Sequence, residues 1–335
     1  MDVYASAFKD PRPGVALVGA GALARALGLR FADAGYPVRG VVSRTRAPAQ
    51  VLAEALGAPV ASDRLADLPP AALVVLCVPD GAVAEVAWAL AQTPRSWQGV
   101  VVAHTSGVLA ASALDPLQAQ GARTLSFHPL QTVTAGADAQ TLAGVTAGVE
   151  GGAPGVAAGI EMAVGLGMRY LVVSAEAKPR YHLAAAMTSN LLVALMGCVQ
   201  EVLASIEIDR DEAASILGPL LRGTVENLLA SSPEEALTGP VARGDVGTVE
   251  AHGRALRGRL PHLAPAYAAL SVEAVRLAVR AGRLAPPQAD AVLAALEEMV
   301  APPRPGARLD GHAGARDGGL PGGPGAPLLA AWASP

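Results

Sequence analysis

Lysine is nearly missing from this chain: only Lys9 and Lys178 are present, and asparagine is confined to Asn190 and Asn227. Arginine is the default cation, so each of these rare residues carries more information than its type usually does. Cysteine is equally scarce. Cys77 and Cys198 lie in apolar runs far apart and lack metal-ligand spacing, which argues against a disulfide framework or a zinc site and for two inert core thiols. No metal is expected. Charged residues make up 16% of the chain, aromatics 3%, and the formal net charge is -4. With no basic patch interleaved with aromatics, nucleic acid is not an expected partner. No uninterrupted apolar stretch reaches the ~20 residues of a membrane span, and residues 1–9 lack the apolar core of a signal peptide. The expectation is a cytoplasmic protein without a membrane partner.

What is abundant is small and apolar: hydrophobic residues reach 52%, chiefly Ala, Val and Leu, alongside 37 glycines. A length of 335 residues suggests two domains at ~150 residues each. From Val15, β-branched runs at 15–18, 38–42, 73–78 and 100–103 alternate with Ala/Leu-rich stretches of helical period, the rhythm of βαβ units. Further strand candidates at 124–127, 145–149 and 169–173 extend the sheet, and continuous apolar runs suit strands covered on both faces. After Ser174 strand signals stop, and helical periodicity occupies 179–205, 210–230, 248–260, 264–281 and 286–300. The predicted class is a doubly wound, mainly parallel α/β domain over 12–174, followed by an all-helical domain over 175–300. Residues 301–335, rich in Pro, Gly and Ala without periodicity, read as a disordered tail.

The first strand runs directly into Gly19-Ala20-Gly21-Ala22-Leu23-Ala24, a G-x-G-x-x-A pattern opening a helix. Gly19 permits a tight turn, Gly21 lets backbone approach a pyrophosphate, and Ala24 allows close packing of helix on strand. This is the Rossmann arrangement. Beyond the second strand stand Ser43, Arg44 and Thr45 with no acidic residue. An Asp or Glu would bind the ribose hydroxyls of NAD, whereas a guanidinium with hydroxyls suits a 2′-phosphate, so NADP(H) is the expected cofactor. Val78 and Pro79, at the end of the strand over 73–78, should border it; Asp80 reads as a helix N-cap.

Polar residues for chemistry cluster in three places: His104-Thr105-Ser106-Gly107, the 127–131 segment containing His128, and the 178–182 segment. Strand ends of such a sheet converge on one crevice, so His104, Thr105, Ser106, Gly107 and His128 are candidates for binding substrate. Each histidine could equally shape its own loop. Lys178 and His182 are four apart, within about one helical turn, ~6 Å along the axis, and form a candidate pair of proton donors for a reduced carbonyl or imine. Asn190 lies ~18 Å further along an ideal helix among Leu191, Leu192 and Val193, which favours a packing role with at most a lining contact to substrate. Arg243 and Asp245 read as a surface turn.

On Gly19 to Ala24, Ser43-Arg44-Thr45, His104 to Gly107, the 127–131 segment and the 178–190 segment, the chain resembles Rossmann-like NADP oxidoreductases related to ketopantoate reductase, pyrroline-5-carboxylate reductase and the β-hydroxyacid dehydrogenases. Within that group it is most similar to members whose helical C-terminal domain is uncharacterised. The resemblance implies a reductase of a small 2-oxo acid or imine, ketopantoate-reductase-like, with a C-terminal domain like that of 6-phosphogluconate dehydrogenase and a homodimer formed through it. It departs from the β-hydroxyacid dehydrogenases at His182, where they carry Asn four residues after the catalytic Lys. Two other readings share the cofactor site: a non-catalytic NADP(H)-sensing regulator, and a deazaflavin-linked NADP oxidoreductase.

Overall fold

The computed structural model describes residues 12–301, so the tail expected over 301–335 lies, except for Ala301, outside the described residues. The chain forms two compact units divided after Val193. The first is built on eight strands: β1 (Val15–Val18), β2 (Val38–Val42), β3 (Val60–Ser62), β4 (Leu73–Leu76), β5 (Val101–His104), β6 (Arg123–Pro129), β7 (Thr146–Gly151) and β8 (Arg169–Val172). Their order across the sheet is β3-β2-β1-β4-β5-β6-β7-β8, with every neighbouring pair parallel except β6 and β7. The helices of this unit are α1 (Ala22–Asp33), α2 (Arg46–Leu56), α3 (Asp80–Ala91), α4 (Asp115–Gln118), α5 (Ala153–Gly165) and α6 (Lys178–Ala186). The expected strands all form. β3, three residues long, carries too short an apolar signal to register in the sequence.

Side chains alternate along a strand, so the two faces of the sheet divide by parity. Odd-numbered Leu17, Leu125, Phe127, Ala147 and Val149 enter one core with Leu27 and Phe31 of α1 and Met162 of α5. Even-numbered Ala16, Val18, Val74, Leu76 and Val102 enter another with Val83, Ala87 and Leu90 of α3 and with Trp97. On β6 and β7 the even positions change character and become Ser126, His128, Gly148 and Glu150, paired in register as Ser126 with Glu150 and His128 with Gly148. α6 lies over that polar patch: Lys178 reaches Ser126, and Tyr181 sits on Gly148.

The helix expected over 179–205 continues from α6 through a π-helical turn, Met187–Leu191, into α7 (Leu192–Ala204). A π turn widens the helix locally and shifts which side chains face the sheet; here Ser189 meets Thr132, oxygen to oxygen at 2.7 Å. The division after Val193 falls inside this helix, well beyond Ser174, because the first turns are tied to the sheet by Lys178 and Tyr181 and to the loop after β6 by Ser189. Among the described residues, Ala175–Ala204 is long and apolar enough to cross a membrane by length and composition, with mean hydropathy 1.6.

The second unit is helical: α8 (Arg210–Ala230), the single turns α9 (Pro233–Ala236) and α10 (Pro240–Arg243), α11 (Val246–Arg259), α12 (Ala264–Arg280) and α13 (Pro286–Val300). Its core joins Val249 and Leu256 of α11, Val275 of α12, and Val292 and Leu296 of α13. Helix starts are set by caps: Asp209 accepts from the Glu212 N–H at 2.9 Å, and Asp245 from the Thr248 N–H at 3.0 Å. Arg243 and Asp245 therefore flank an ordinary turn, with Gly244 left-handed between helix end and helix start.

Candidate active site

The turn after β1 has the form a dinucleotide needs. Gly19 has φ +111°, and a Cβ there would collide with the Cys77 carbonyl, so only glycine fits. Gly21 occupies the N-cap position of α1, no side chain caps the helix, and no acidic residue lies in its first turn. A Cβ at Gly21 meets nothing within 4 Å, which leaves the amino end of α1 open to an approaching anion. Ala24 is buried and packs against the sheet. At the end of β2, the Ser43 hydroxyl donates to the Thr45 carbonyl at 2.6 Å, Thr45 begins α2 without capping it by side chain, and Arg44 and Arg46 are exposed. An uncapped helix start with guanidinium groups beside it is suited to a phosphate. The residues present thus fit a dinucleotide bearing a 2′-phosphate. Cys77, beside this turn, is an inert thiol, its pKa pushed up to about 12 chiefly by burial.

After β4, Pro79 takes the position before α3 and Asp80 the first helical position. The expected cap is not made: the Asp80 side chain caps nothing. Its carboxylate instead lies near enough to His104, His128 and Lys178 to favour their protonated forms.

The loop after β5 is held from within. The His104 ring is fully buried; its Nδ1 accepts from the Ser106 N–H at 3.2 Å and its Nε2 faces the Ala110 carbonyl at 3.1 Å. Burial lowers its pKa from 6.5 to about 4, with Lys178 pushing the same way, so the ring is neutral and fixed in one tautomer. The Ser106 hydroxyl accepts from the N–H groups of Val108 and Leu109, and the Thr105 hydroxyl lies 3.4 Å from the Leu76 carbonyl. His104, Thr105 and Ser106, expected to bind substrate, have their side chains committed to the loop, because a tight turn on a buried strand end must satisfy its own polar groups. Gly107 is different. A Cβ there would collide with Nδ1 of His182 and come within 3.0 Å of the His128 ring, so the glycine lets backbone touch both imidazoles.

These imidazoles form the most chemically capable cluster of the unit. His128 Nδ1 and the Tyr181 hydroxyl are 3.0 Å apart, with ring centroids 5.6 Å apart edge to face. The His128 and His182 centroids are 5.7 Å apart. Burial lowers the His128 pKa to about 4, helped by His182 and Lys178. Burial raises that of Tyr181, against a hydrogen bond from the Gly148 backbone. A Cβ on Gly148 would lie 2.6 Å from the Tyr181 oxygen, so a glycine is needed for the hydroxyl to reach this level of the sheet. His182 Nδ1 is buried with no hydrogen-bond partner among the described residues.

Lys178 and His182 stand four apart on α6 as expected, yet they do not meet at one point. Lys178 is 1% exposed, and its ammonium donates to Ser126 Oγ at 2.6 Å and to the Ser106 carbonyl at 3.3 Å. It sits one level deeper in the sheet than His182. Asn190 is exposed on the π turn and is not a packing residue; its neighbour Ser189 is the one that meets Thr132, in the loop after β6. Sequence reasoning missed Ser126, Glu150 and Tyr181. The signal for the first two is that the even positions of β6 and β7 carry no large apolar residue, being Thr124, Ser126, His128, Thr146, Gly148 and Glu150, which appears once those strands are extended to their full lengths.

A mainly parallel sheet with a glycine turn at its first crossover, and polar groups gathered beyond its later strands, defines a Rossmann-like fold. The comparisons with known proteins agree and divide the chain in two. Residues 2–129 match the model of the Rossmann-like domain, and residues 145–274 match that of a domain of unknown function, DUF2520. Among solved structures, the chain is similar to a Bacteroides fragilis protein described as a candidate NADP oxidoreductase, at 23% identity over 79% of this chain and 98% of that one, TM-score 0.66. It is similar also to a Thermotoga maritima protein, at 27% identity over 80% and 97%, TM-score 0.60. An imine reductase from Myxococcus stipitatus, solved with NADP+, shares 20% identity over 81% and 96%, TM-score 0.56. No curated protein matches the sequence.

Proposed function

We propose that the protein is an NADP(H)-dependent oxidoreductase that reduces the C=O or C=N bond of a small 2-oxo acid or imine, in the manner of the ketopantoate reductases and imine reductases. Its cofactor is held by Gly19 to Ala24, by Ser43, Arg44 and Thr45, and beside Val78 and Pro79. Bound there, the reduced nicotinamide supplies hydride. The protein must then furnish one proton to the oxygen or nitrogen that receives the electron pair.

The observation that carries this reading is the paired imidazoles beside Gly107, with His182 Nδ1 buried and unpaired among the described residues. His128 is held by a hydrogen bond between its Nδ1 and the Tyr181 hydroxyl, whose oxygen also takes the Gly148 bond, and it stays neutral at neutral pH. His182, whose Nδ1 has no partner among the described residues, is the group we assign to deliver the proton. Gly107, free of a side chain, lets the backbone pack directly against that ring. We place a second copy of the chain over the apolar side of α8, where Ile216 is 50% and Leu220 67% exposed, giving a cytoplasmic homodimer.

The test is oxidation of NADPH by purified protein across a panel of 2-oxo acids and cyclic imines. His182→Ala is expected to lower kcat by about 100-fold or more while NADPH affinity stays within about twofold. Failure of wild-type protein to bind NADPH would end the proposal; tight binding without turnover on the panel would favour the sensing reading.

A further inference from the structure

Two buried charges take no part in the proton transfer described above. Lys178 is 1% exposed and Glu150 7%, and they lie on either side of Ser126, whose strand neighbours in register are His104 on β5 and Glu150 on β7. The Ser126 hydroxyl accepts from the Lys178 ammonium at 2.6 Å and donates to the Ser106 carbonyl at 3.0 Å, the same oxygen that Lys178 reaches at 3.3 Å. Glu150 Oε2 accepts from the Ala111 N–H at 2.6 Å. The segment from Ser106 to Ala111 is therefore gripped at its start by a cation acting partly through a hydroxyl, and at its end by a carboxylate. Between the two grips lies Gly107, against both imidazoles.

Burying either charge is costly unless the other is near, and removing one leaves its partner uncompensated in a low-dielectric interior. Neutral groups would supply hydrogen bonds at less cost. An ionised pair on opposite sides of one serine does more, because each end of the loop becomes a charge-assisted contact that resists displacement.

We infer that Lys178 and Glu150 are positioning residues, a buried cation and a buried carboxylate that pin the two ends of the 106–111 segment and so keep Gly107 against His128 and His182. The inference rests on the proposed role of those imidazoles and assigns Lys178 away from proton donation to substrate. As a fixed cation, Lys178 also faces the His128 ring, together with His182 and Tyr181 of its own helix and Asp80 of α3.

The experiment is amide hydrogen exchange across residues 106–111 and NMR titration of the His128 ring, on full-length protein, with NADPH affinity as the check on folding. Ser126→Ala and Glu150→Ala are expected to speed exchange at Ala111 or Leu109 at least tenfold while NADPH affinity holds within about twofold. Glu150→Gln, which keeps an acceptor for the Ala111 N–H, should restore most of the protection at Ala111. Lys178→Met should move the His128 titration upward, since it removes a nearby positive charge. Wild-type exchange rates in Ser126→Ala and Glu150→Ala, or an unmoved His128 titration in Lys178→Met, overturn the inference. Protein that binds NADPH and shows these exchange changes, yet reduces no substrate, sustains the loop clamp and overturns the reductase reading alone.

Discussion

His104 shows how a residue suited to catalysis is consumed by structure. With both ring nitrogens engaged and no exposed surface, it remains neutral until about pH 4, whereas an unfolded imidazole takes its proton near 6.5. The unfolded chain then binds more protons between those values, so native stability is complete above about pH 6.5 and falls as pH drops toward 4. From His104 alone the loss is on the order of 3 kcal/mol, and His128, shifted in the same direction, adds to it. Urea unfolding at pH 7.5 and pH 4.5 checks this, and a flat profile would contradict the buried neutral rings. The sequence shows that His104 and His128 follow strands; it does not show that one ring turns inward to its own loop and the other toward α6.

At the level of elements, the amino ends of α1 and α2 are where the proposed cofactor's phosphates would bind. Both begin without a side-chain cap, and α2 begins between Arg44 and Arg46. A charge-assisted contact to a 2′-phosphate is worth about 1.5–3 kcal/mol, so Arg44→Ala is expected to cut the preference for NADPH over NADH by about 10- to 100-fold, read from the two dissociation constants. These helix starts were legible because a glycine turn and a basic strand end are set by a few consecutive residues. α6 was less legible. Its 3.6-residue period identifies a helix from Pro179 onward, but periodicity does not say which sheet surface the helix covers or that a π turn interrupts it, with Ser189 rather than Asn190 making the contact to Thr132. Glu150 was hidden for a related reason: the expected strand ended at Val149, one residue short of it, and its meaning arises from pairing with Ser126 across the sheet.

For the whole molecule the conspicuous feature is apolar surface on α8, which buries only Ala213 among its 21 residues. Ile216 and Leu220, one turn apart on the same side of the helix, are exposed at 50% and 67%, and apolar surface of this kind is a common mark of an interface. Sedimentation should therefore give twice the 33.6 kDa chain mass, and Leu220→Arg should shift the population toward monomer. A monomeric wild type at micromolar concentration would refute the homodimer.

By itself the sequence determined the α/β-then-helical plan, the glycine turn and the basic end of β2, because these depend on residues adjacent in the chain and on the steric demands of backbone. Only the tertiary structure decided that Lys178 is buried against Ser126, that His128 and His182 meet beside Gly107, and that Glu150 pairs with Ser126 across the sheet. Those relations depend on the register of β5, β6 and β7 and on the packing of α6 over their even-numbered face, where residues 20 to 70 positions apart become neighbours.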